Sequence, residues 1–232
     1  QLHLTVAIVD FLTPYKRRRG GVCSAFFQTL DPTKNEIYLP LWLKTGLFHP
    51  PSIAKDMILI GPGTGLAAMR AIAQERQVLR AGLEDATVAG KTVLFFGSRH
   101  QQKDYLYGDE LEALAASGAL TSLHTAFSRD QMDDTPAFGC GRFTSLYCCP
   151  LHLQSHKIYV QTRLAEQKDQ VFHMLTSGAY VYIAGSAKRM PSDVYEVLRD
   201  ILRSVGKLSL QEAETAMKAL VRTKRYVVES WS

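Results

Sequence analysis

Short apolar runs alternate with longer amphipathic stretches from residue 57 onward. The apolar runs predict strands at Met57–Ile60, Thr92–Phe96, Leu120–Phe127 and Ala179–Ile183. The amphipathic stretches predict helices at Leu66–Ala81, Tyr105–Ala116, Val160–Thr176, Ser192–Ser204 and Leu210–Val221. Because strands separated by helices of this length form βαβ crossovers, we expect an α/β fold with a doubly wound parallel sheet.

The first fifty residues follow a different pattern. Apolar side chains alternate with others over residues 2–11, which predicts a strand, and a second strand is expected over Ile37–Leu43. A short helix is expected over Val22–Leu30. Pro50-Pro51 then interrupts the chain. We therefore place a domain boundary there, between residues 1–50 and residues 51–232.

Residues 130–155 break the rhythm of the second domain and predict an insertion, either functional or disordered. Cys148, Cys149, His152 and His156 suggest a zinc site as an alternative to a plain loop. Adjacent cysteines rarely both reach one metal and no Cys-x-x-Cys pair is present, so we predict no metal site. The chain has four cysteines without a disulfide framework, which favours a reducing, cytosolic setting.

Composition excludes several classes of protein. The net charge of +5 comes from 27 basic and 22 acidic residues, and its one tight cluster, residues 16–19, is most simply a solvated loop. A nucleic-acid binder more often combines such a cluster with aromatic side chains, so we expect no nucleic-acid partner. No apolar run approaches the roughly 18 residues of a membrane span, and we expect no membrane contact. The chain opens in mid-strand, so we expect it to be a piece of a longer protein.

A glycine-rich turn, Gly61-Pro62-Gly63-Thr64-Gly65, follows the first strand of the predicted sheet and precedes a helix. Free N–H groups at such a turn point toward an anion. Gly63, Gly65 and Ala68 fit the relaxed dinucleotide fingerprint, and no Lys-Ser/Thr pair follows, which excludes an ATP-binding P-loop. The alternative is a tight turn without a ligand.

The ends of the next two strands carry hydroxyl groups and cations. The acidic residue that holds a ribose 2′-hydroxyl is absent, and Ser98-Arg99 stands in its place; Ser128-Arg129 ends the third strand. These groups suit a 2′-phosphate, which favours NADPH over NADH, although each arginine alone is more often a surface residue. Trp231, one residue from the chain end, is a flat ring where chains are usually frayed and polar. Together these features indicate a nicotinamide nucleotide meeting a flavin.

Six motifs in one order resemble the FAD/NADPH half of the diflavin reductases, the family of NADPH–cytochrome P450 reductase and of the diflavin reductase of iron–sulfur assembly. They are Gly61–Gly65, Phe95–Arg99 with Asp104–Tyr107, Ala126–Arg129, Lys157–Gln161, Tyr182–Gly185 through Met190 and Asp193-Val194, and Arg225–Ser232. The resemblance covers nearly the whole chain. It implies a ferredoxin–NADP reductase-like NADP-binding domain, preceded by the tail of an antiparallel β-barrel FAD domain.

The resemblance also implies roles for individual residues. Gly21, Val22, Cys23 and Ser24 would meet the FAD pyrophosphate, although Ser24 would also serve as a helix cap. Trp231 would cover the isoalloxazine ring and swing aside for nicotinamide, with Glu229 standing where many relatives have Asp. The residues that would contact NADPH are Gly63, Thr64, Gly65, Arg99, Ser128, Arg129, Lys157, Ile158, Tyr159, Val160, Gln161 and Asp193.

Several departures from the family pattern bear on these expectations. The Arg-x-Tyr-Ser flavin motif expected before Gln1 is absent, as are the connecting and FMN domains, so we expect FAD to be held poorly or not at all. Ala184 replaces a cysteine of P450 reductases and favours the iron–sulfur-assembly branch. The insertion separates Arg129 from Lys157; it either loops out cleanly or rebuilds the pocket for NADPH.

The expected activity is that of an NADPH-dependent reductase in the cytoplasm, or on the cytosolic face of a membrane. NADPH would reduce FAD, and electrons would pass through FMN on a missing domain to an iron–sulfur assembly protein or a cytochrome P450. The sulfite reductase flavoprotein and methionine synthase reductase branches stay open. An alternative is an NADP-binding regulatory module without redox turnover. An unrelated dehydrogenase would need a catalytic histidine, and His100 and His124 are most simply surface residues.

Overall fold

A computed structural model describes residues 2–34, 36–130 and 157–231. The chain divides into two compact units, Gln1–His49 and Pro50–Ser232. Residues 131–156, which hold almost all of the predicted insertion with Cys140, Cys148 and Cys149, lie outside the described residues. The two units are described separately.

The first unit contains two short strands and one helix: β1 (Asp10–Leu12), β2 (Arg18–Gly20) and α1 (Val22–Thr29). β1 and β2 pair antiparallel, and Arg18 Nε donates to the Asp10 carboxylate at 2.8 Å. The predicted strand over residues 2–11 is reduced to its last residues, and residues 37–43 form no strand. Alternation alone does not make a strand, because its backbone needs a neighbouring strand to bond. The expected barrel tail stays a prediction.

The second unit is built on a five-stranded sheet. Its strands are β3 (Met57–Ile60), β4 (Thr92–Ser98), β5 (Ser122–Phe127), β6 (Tyr180–Ser186) and β7 (Tyr226–Trp231). Every neighbouring pair is parallel, in the spatial order β5-β4-β3-β6-β7. β3 therefore lies in the middle of the sheet. β4 and β5 follow on one side of it, and the chain then crosses to the other side for β6 and β7. This confirms the predicted doubly wound parallel sheet.

Helices cover both faces of the sheet, and their bounds follow local signals. They are α2 (Leu66–Ala81), α3 (Gln101–Asp104), α4 (Gly108–Ala116), α5 (Val160–Glu166), α6 (Lys168–Thr176), α7 (Met190–Ser204) and α8 (Leu210–Arg222). Pro191 stands in the first turn of α7, where its missing N–H costs nothing. α8 opens with a capping box in which Ser209 accepts from the Glu212 amide at 3.2 Å.

The core is sandwiched between the sheet and these helices. Ile58, Ile60, Val93 and Phe95 point to one face and pack with residues of α5 to α8, while the alternate residues of the same strands face the other way. Met57–Ile60 is fully buried, as expected for a parallel strand covered on both sides. This explains why its sequence is continuously apolar rather than alternating.

Three elements differ from the sequence prediction. The helix expected over Tyr105–Ala116 begins only at Gly108, as α4, because Tyr107 adopts left-handed backbone angles (φ 56°), and the short helix α3 precedes it without having been predicted. The helix expected over Val160–Thr176 breaks at Gln167 into α5 and α6. β7 was not predicted, although Tyr226-Val227-Val228 carries aromatic and β-branched side chains typical of strands.

Candidate functional site

The glycine turn between β3 and α2 brings the start of the helix against the end of β6. A Cβ atom at Gly65 would overlap the carbonyl oxygen of Ala184 and lie 2.5 Å from its carbonyl carbon. Gly63 has a left-handed φ of +58° and faces open space. Glycine is therefore needed at position 65 for close approach and at position 63 for backbone conformation.

Two backbone donors of this turn have no partner among the described residues. Within the described residues, the N–H groups of Gly63 and Thr64 donate to no other group of the chain. They stand at the N-terminal end of α2, where the aligned peptide dipoles favour negative charge. The turn lies at the carboxyl ends of β3 and β6, where the strand order reverses and where ligands bind in open α/β sheets. The chain thus offers an anion site at its topological switch point.

The carboxyl ends of β4 and β5 carry the two predicted arginines side by side. The ladder between these strands continues past their ends, since Ser128 N donates to Ser98 O at 3.0 Å and Arg129 N donates to Arg99 O at 2.9 Å. Both arginine side chains are exposed. The backbones of two exposed arginines are therefore adjacent on the same edge of the sheet as the glycine turn. This arrangement suits a dianionic phosphate.

A histidine–aspartate pair, missed in the sequence, borders these arginines. His100 Nδ1 lies 2.7 Å from Asp130 Oδ1, and the Gln101 amide donates to Asp130 Oδ2 at 2.5 Å. The Gln101 bond and then the His100 bond lower the pKa of Asp130. His100 is therefore not a solitary surface residue. The available signal was an aspartate directly after Ser128-Arg129.

His124 was also wrongly interpreted as a surface residue. Its ring stacks on Phe95 with centroids 4.9 Å apart, and its Nε2 atom is buried. Burial disfavours the charged ring and lowers the pKa of His124. It belongs to the packing of β4 and β5, away from the carboxyl edge where the arginines emerge.

The predicted segment Lys157–Gln161 stands at the start of the second described part of this unit and leads into α5, which lies beside β4. Val160 is buried, and its Cγ1 atom would lie 2.8 Å from a Cβ added at Gly97. Ile158 is buried as well, whereas Lys157 is exposed and the Tyr159 side chain is 46% exposed. The side chains of Ile158 and Val160 are thus part of the packing of this segment. The side chains of Lys157 and Tyr159 are the accessible ones.

Two further predicted residues are joined to each other. Gln161 Nε2, in the first turn of α5, donates to Asp193 Oδ2 at 3.3 Å, in the first turn of α7. α7 begins just after β6, so this contact lies near the same edge of the sheet. This hydrogen bond links α5, which follows β5 on one side of the sheet, to α7, which follows β6 on the other side.

The chain end is paired into the sheet rather than frayed. Glu229 is in register with Ala184 and Trp231 with Ser186, and Ala187 N donates to Trp231 O at 2.8 Å. The Trp231 side chain is 44% exposed. The backbone pairing of β7 therefore places the Trp231 ring at the carboxyl edge of the sheet. The exposed part of the ring is accessible to a planar partner.

The predicted flavin residues Gly21–Ser24 lie in the first unit. Ser24 is buried, accepts from Val9 N at 3.1 Å and donates to Gly21 O at 3.3 Å. It does not cap α1, since Gly21 takes the N-cap position. Val22 and Cys23 are exposed, and Cys23 is a free thiol. The turn at Gly21 is held by Ser24, which leaves the side chains of Val22 and Cys23 accessible.

Comparison with known proteins shows what the chain is similar to. Residues 59–139 match the oxidoreductase NAD-binding domain. The whole chain aligns with NADPH-dependent diflavin oxidoreductase 1 of Arabidopsis thaliana at 37% identity and of Bos taurus at 36%, covering 34% of each. It aligns equally completely with NADPH–cytochrome P450 reductase of Musca domestica at 33% identity, covering 31% of that protein.

The chain spans about a third of the length of the curated relatives. No helix in residues 2–34, 36–130 and 157–231 is long and apolar enough to cross a membrane. With its glycine turn, paired arginines and terminal tryptophan on one sheet edge, the chain matches the oxidoreductase NAD-binding domain over residues 59–139 and is similar over its whole length to part of the diflavin and cytochrome P450 reductases.

Proposed function

We propose that this chain is the NADPH- and FAD-binding part of a diflavin reductase. When bound, the two cofactors supply hydride transfer from nicotinamide to flavin. The observation that carries the proposal is the continued ladder between β4 and β5, which brings Arg99 and Arg129 to the same sheet edge as the free amides of Gly63 and Thr64. That pattern supports a ligand with two separate phosphate groups, as NADPH has.

The described residues fit the nucleotide. The Gly63 and Thr64 amides would hold the pyrophosphate, and Gly65 lets the helix start approach it closely. Arg99 and Arg129, with Ser128 and Lys157, would hold the 2′-phosphate, and the exposed Tyr159 ring would lie on the adenine. Asp193, held by Gln161, would face the sugar at the nicotinamide end. Cation pairs and amides at strand ends are the groups that recognise phosphates.

The flavin side of the proposal rests on Trp231, Glu229 and the Gly21–Ser24 turn. Trp231 would cover the flavin ring and exclude water until nicotinamide replaces it, with Glu229 adjacent on β7. The Gly21–Ser24 turn would meet the FAD pyrophosphate. Electrons would then leave through FMN on another domain to a protein acceptor in the cytoplasm, either an iron–sulfur assembly protein or a cytochrome P450. Ala184 favours the first of these acceptors.

Calorimetry of NADP⁺ and NAD⁺ binding tests the nucleotide assignment, with an absorbance scan near 450 nm for added FAD. We expect NADP⁺ to bind more tightly than NAD⁺. Equal affinities would contradict the 2′-phosphate site. If the flavin stays unreduced when NADPH is added to the FAD-loaded full-length protein, the result would instead favour a regulatory module without redox turnover.

Replacing Arg129 with alanine should weaken NADP⁺ binding selectively. Loss of one charge-assisted contact to the 2′-phosphate is expected to cost about 1–3 kcal/mol, while NAD⁺ affinity stays unchanged. Titration calorimetry with both nucleotides measures the difference. Arg203→Ala is the matched control, because it removes the same charge from the last turn of α7, at the far end of that helix from the sheet edge. Equal losses for NADP⁺ and NAD⁺ would remove Arg129 from this role.

Replacing Trp231 with alanine should raise the use of NADH relative to NADPH in the FAD-loaded full-length protein. Without the ring, nicotinamide no longer competes with tryptophan for the flavin face, so binding depends less on the 2′-phosphate. The ratio of kcat/KM for the two nucleotides measures this effect. Trp42→Ala, which removes an 83% exposed tryptophan of the first unit, is the control. An unchanged ratio would show that Trp231 does not cover the flavin.

A further inference from the structure

One motif of the chain, Asp104-Tyr105-Leu106-Tyr107, contributes no group to the proposed nucleotide site. The Tyr105 ring lies 5.8 Å from the Phe96 ring and 5.4 Å from the Phe127 ring, measured between centroids. Phe96 and Phe127 are buried residues near the carboxyl ends of β4 and β5. Tyr105 therefore anchors this segment against the strand ends that carry Arg99 and Arg129.

An ion pair ties α4, which directly follows this segment, to α2. Arg70 Nε lies 3.0 and 2.9 Å from the two carboxylate oxygens of Glu110, and Arg70 Nη2 donates to Glu110 Oε2 at 2.7 Å. Gln74 Nε2 donates to Glu110 Oε1 at 2.6 Å. Arg70 is only 9% exposed, so the guanidinium side of this forked pair is shielded from water, while the Glu110 side chain is 32% exposed. Such bidentate geometry fixes direction as well as distance.

The ion pair also holds an unusual backbone conformation. Tyr107, which opens α4, has a φ of 56°, and its ring lies 4.1 Å from the Arg70 guanidinium carbon. A tyrosine adopts left-handed angles only where its surroundings hold it there. The stacked guanidinium and the neighbouring Glu110 provide that restraint. The turn between α3 and α4 thus depends on a residue of α2.

We propose that Arg70 and Glu110 are positioning residues that set the spacing between the phosphate turn Gly61–Gly65 and the paired arginines Arg99 and Arg129. This inference rests on the proposed function. α2 starts from the phosphate turn, and the Tyr105 segment starts from the strand ends, so the ion pair joins the two halves of the site. Arg70 is buried and touches no nucleotide itself. Its effect appears only for a ligand that must reach both halves.

Two nucleotides distinguish positioning from a general loss of structure. Adenosine 2′,5′-bisphosphate carries a phosphate for each half of the site, whereas adenosine 2′-monophosphate engages only the arginine half. In the Glu110→Gln variant of the whole chain, we expect the bisphosphate to bind about three- to ten-fold more weakly, as a site that must be ordered on binding does. The monophosphate should bind as it does to the unaltered chain.

A second variant tests the same contact independently, in case Glu110→Gln does not fold. Tyr107→Gly suits the left-handed backbone and removes the ring that Arg70 stacks on, and it should show the same selective loss. Tyr195→Phe is the control: it removes the hydroxyl that donates to Glu214 at 2.9 Å on the opposite helical layer, and both affinities should persist. Thermal unfolding establishes that each variant is folded.

The outcomes separate the inference from the function on which it rests. If Glu110→Gln and Tyr107→Gly weaken both nucleotides equally, or weaken neither, the positioning role is overturned. If the unaltered chain binds the bisphosphate no better than the 2′-monophosphate, the phosphate turn does not bind the nucleotide. In that case the proposed function fails at the turn. A selective loss in both variants supports the positioning role.

Discussion

Replacing Gly65 with alanine is expected to lower the free energy of unfolding by at least about 3 kcal/mol, the upper range for overpacking a rigid site. The new Cβ atom would overlap the Ala184 carbonyl oxygen and lie 3.0 Å from the Gly185 nitrogen. Both are backbone atoms of β6, which cannot rotate away as a side chain can. Either α2 or β6 must move, and the phosphate turn moves with it.

Two other glycines, one in the same turn and one at the far end of α2, provide matched controls. At Gly63 a Cβ atom meets nothing within 4 Å, so alanine there should lower the free energy of unfolding only through its left-handed φ, by about 1–2 kcal/mol. At Gly82, after α2, the φ is −88° and the nearest atom would be 3.6 Å away, so alanine should be neutral or slightly stabilising. The three substitutions add the same methyl group, and only their surroundings differ.

Urea unfolding and NADP⁺ calorimetry measure the series. We expect stability to fall in the order Gly82→Ala, Gly63→Ala, Gly65→Ala, with nucleotide affinity reduced most strongly in the last. A Gly65→Ala variant as stable as Gly82→Ala would mean that α2 does not approach β6 as closely as the structure places it.

The parallel sheet was predictable because its signals are local. β3 and α2 have the bounds read from the sequence, since an apolar run, a glycine turn and a terminal glycine mark them. The break between α3 and α4 was not predictable in the same way. It depends on contacts of Tyr107 with Arg70, which lies 37 residues away along the chain and in another helix. A helical pattern through Tyr107 was overridden by tertiary packing.

The same distinction between local and long-range signals applies to the candidate site. The glycine turn and the Ser-Arg motifs are contiguous in sequence, so their chemistry could be predicted without knowing their geometry. The bond between His100 and Asp130 was not, because it joins residues 30 apart whose proximity depends on the register of β4 and β5. Ile158 and Val160 show the reverse case, since a motif that matches a family can also contain packing residues.

Replacing Arg76 with methionine is expected to lower the free energy of unfolding by about 3 kcal/mol, because two backbone carbonyls lose their donor. Arg76 is 3% exposed, and its Nη2 atom donates to the carbonyl oxygens of Ile53 and Lys55 at 3.0 Å and of Gly90 at 2.9 Å. Ile53 O keeps a second donor, the Gly90 amide at 2.9 Å. Methionine fills similar space without a donor, so the loss reports the hydrogen bonds.

The position of Arg76 predicts that this loss leaves nucleotide binding intact. Lys55 and Gly90 precede β3 and β4, so Arg76 joins the amino ends of the central strands, opposite the edge where the arginines and the glycine turn lie. Arg76→Lys, which keeps a charged donor, should recover part of the stability, and Arg222→Met, on an exposed turn of α8, should change it little. Urea unfolding measures stability, and NADP⁺ calorimetry under folding conditions measures the site. A folded Arg76→Met variant with weakened NADP⁺ binding would contradict the separation of these two ends of the sheet, whereas normal affinity would show that the hydrogen bonds of Arg76 stabilise the sheet without shaping the nucleotide site.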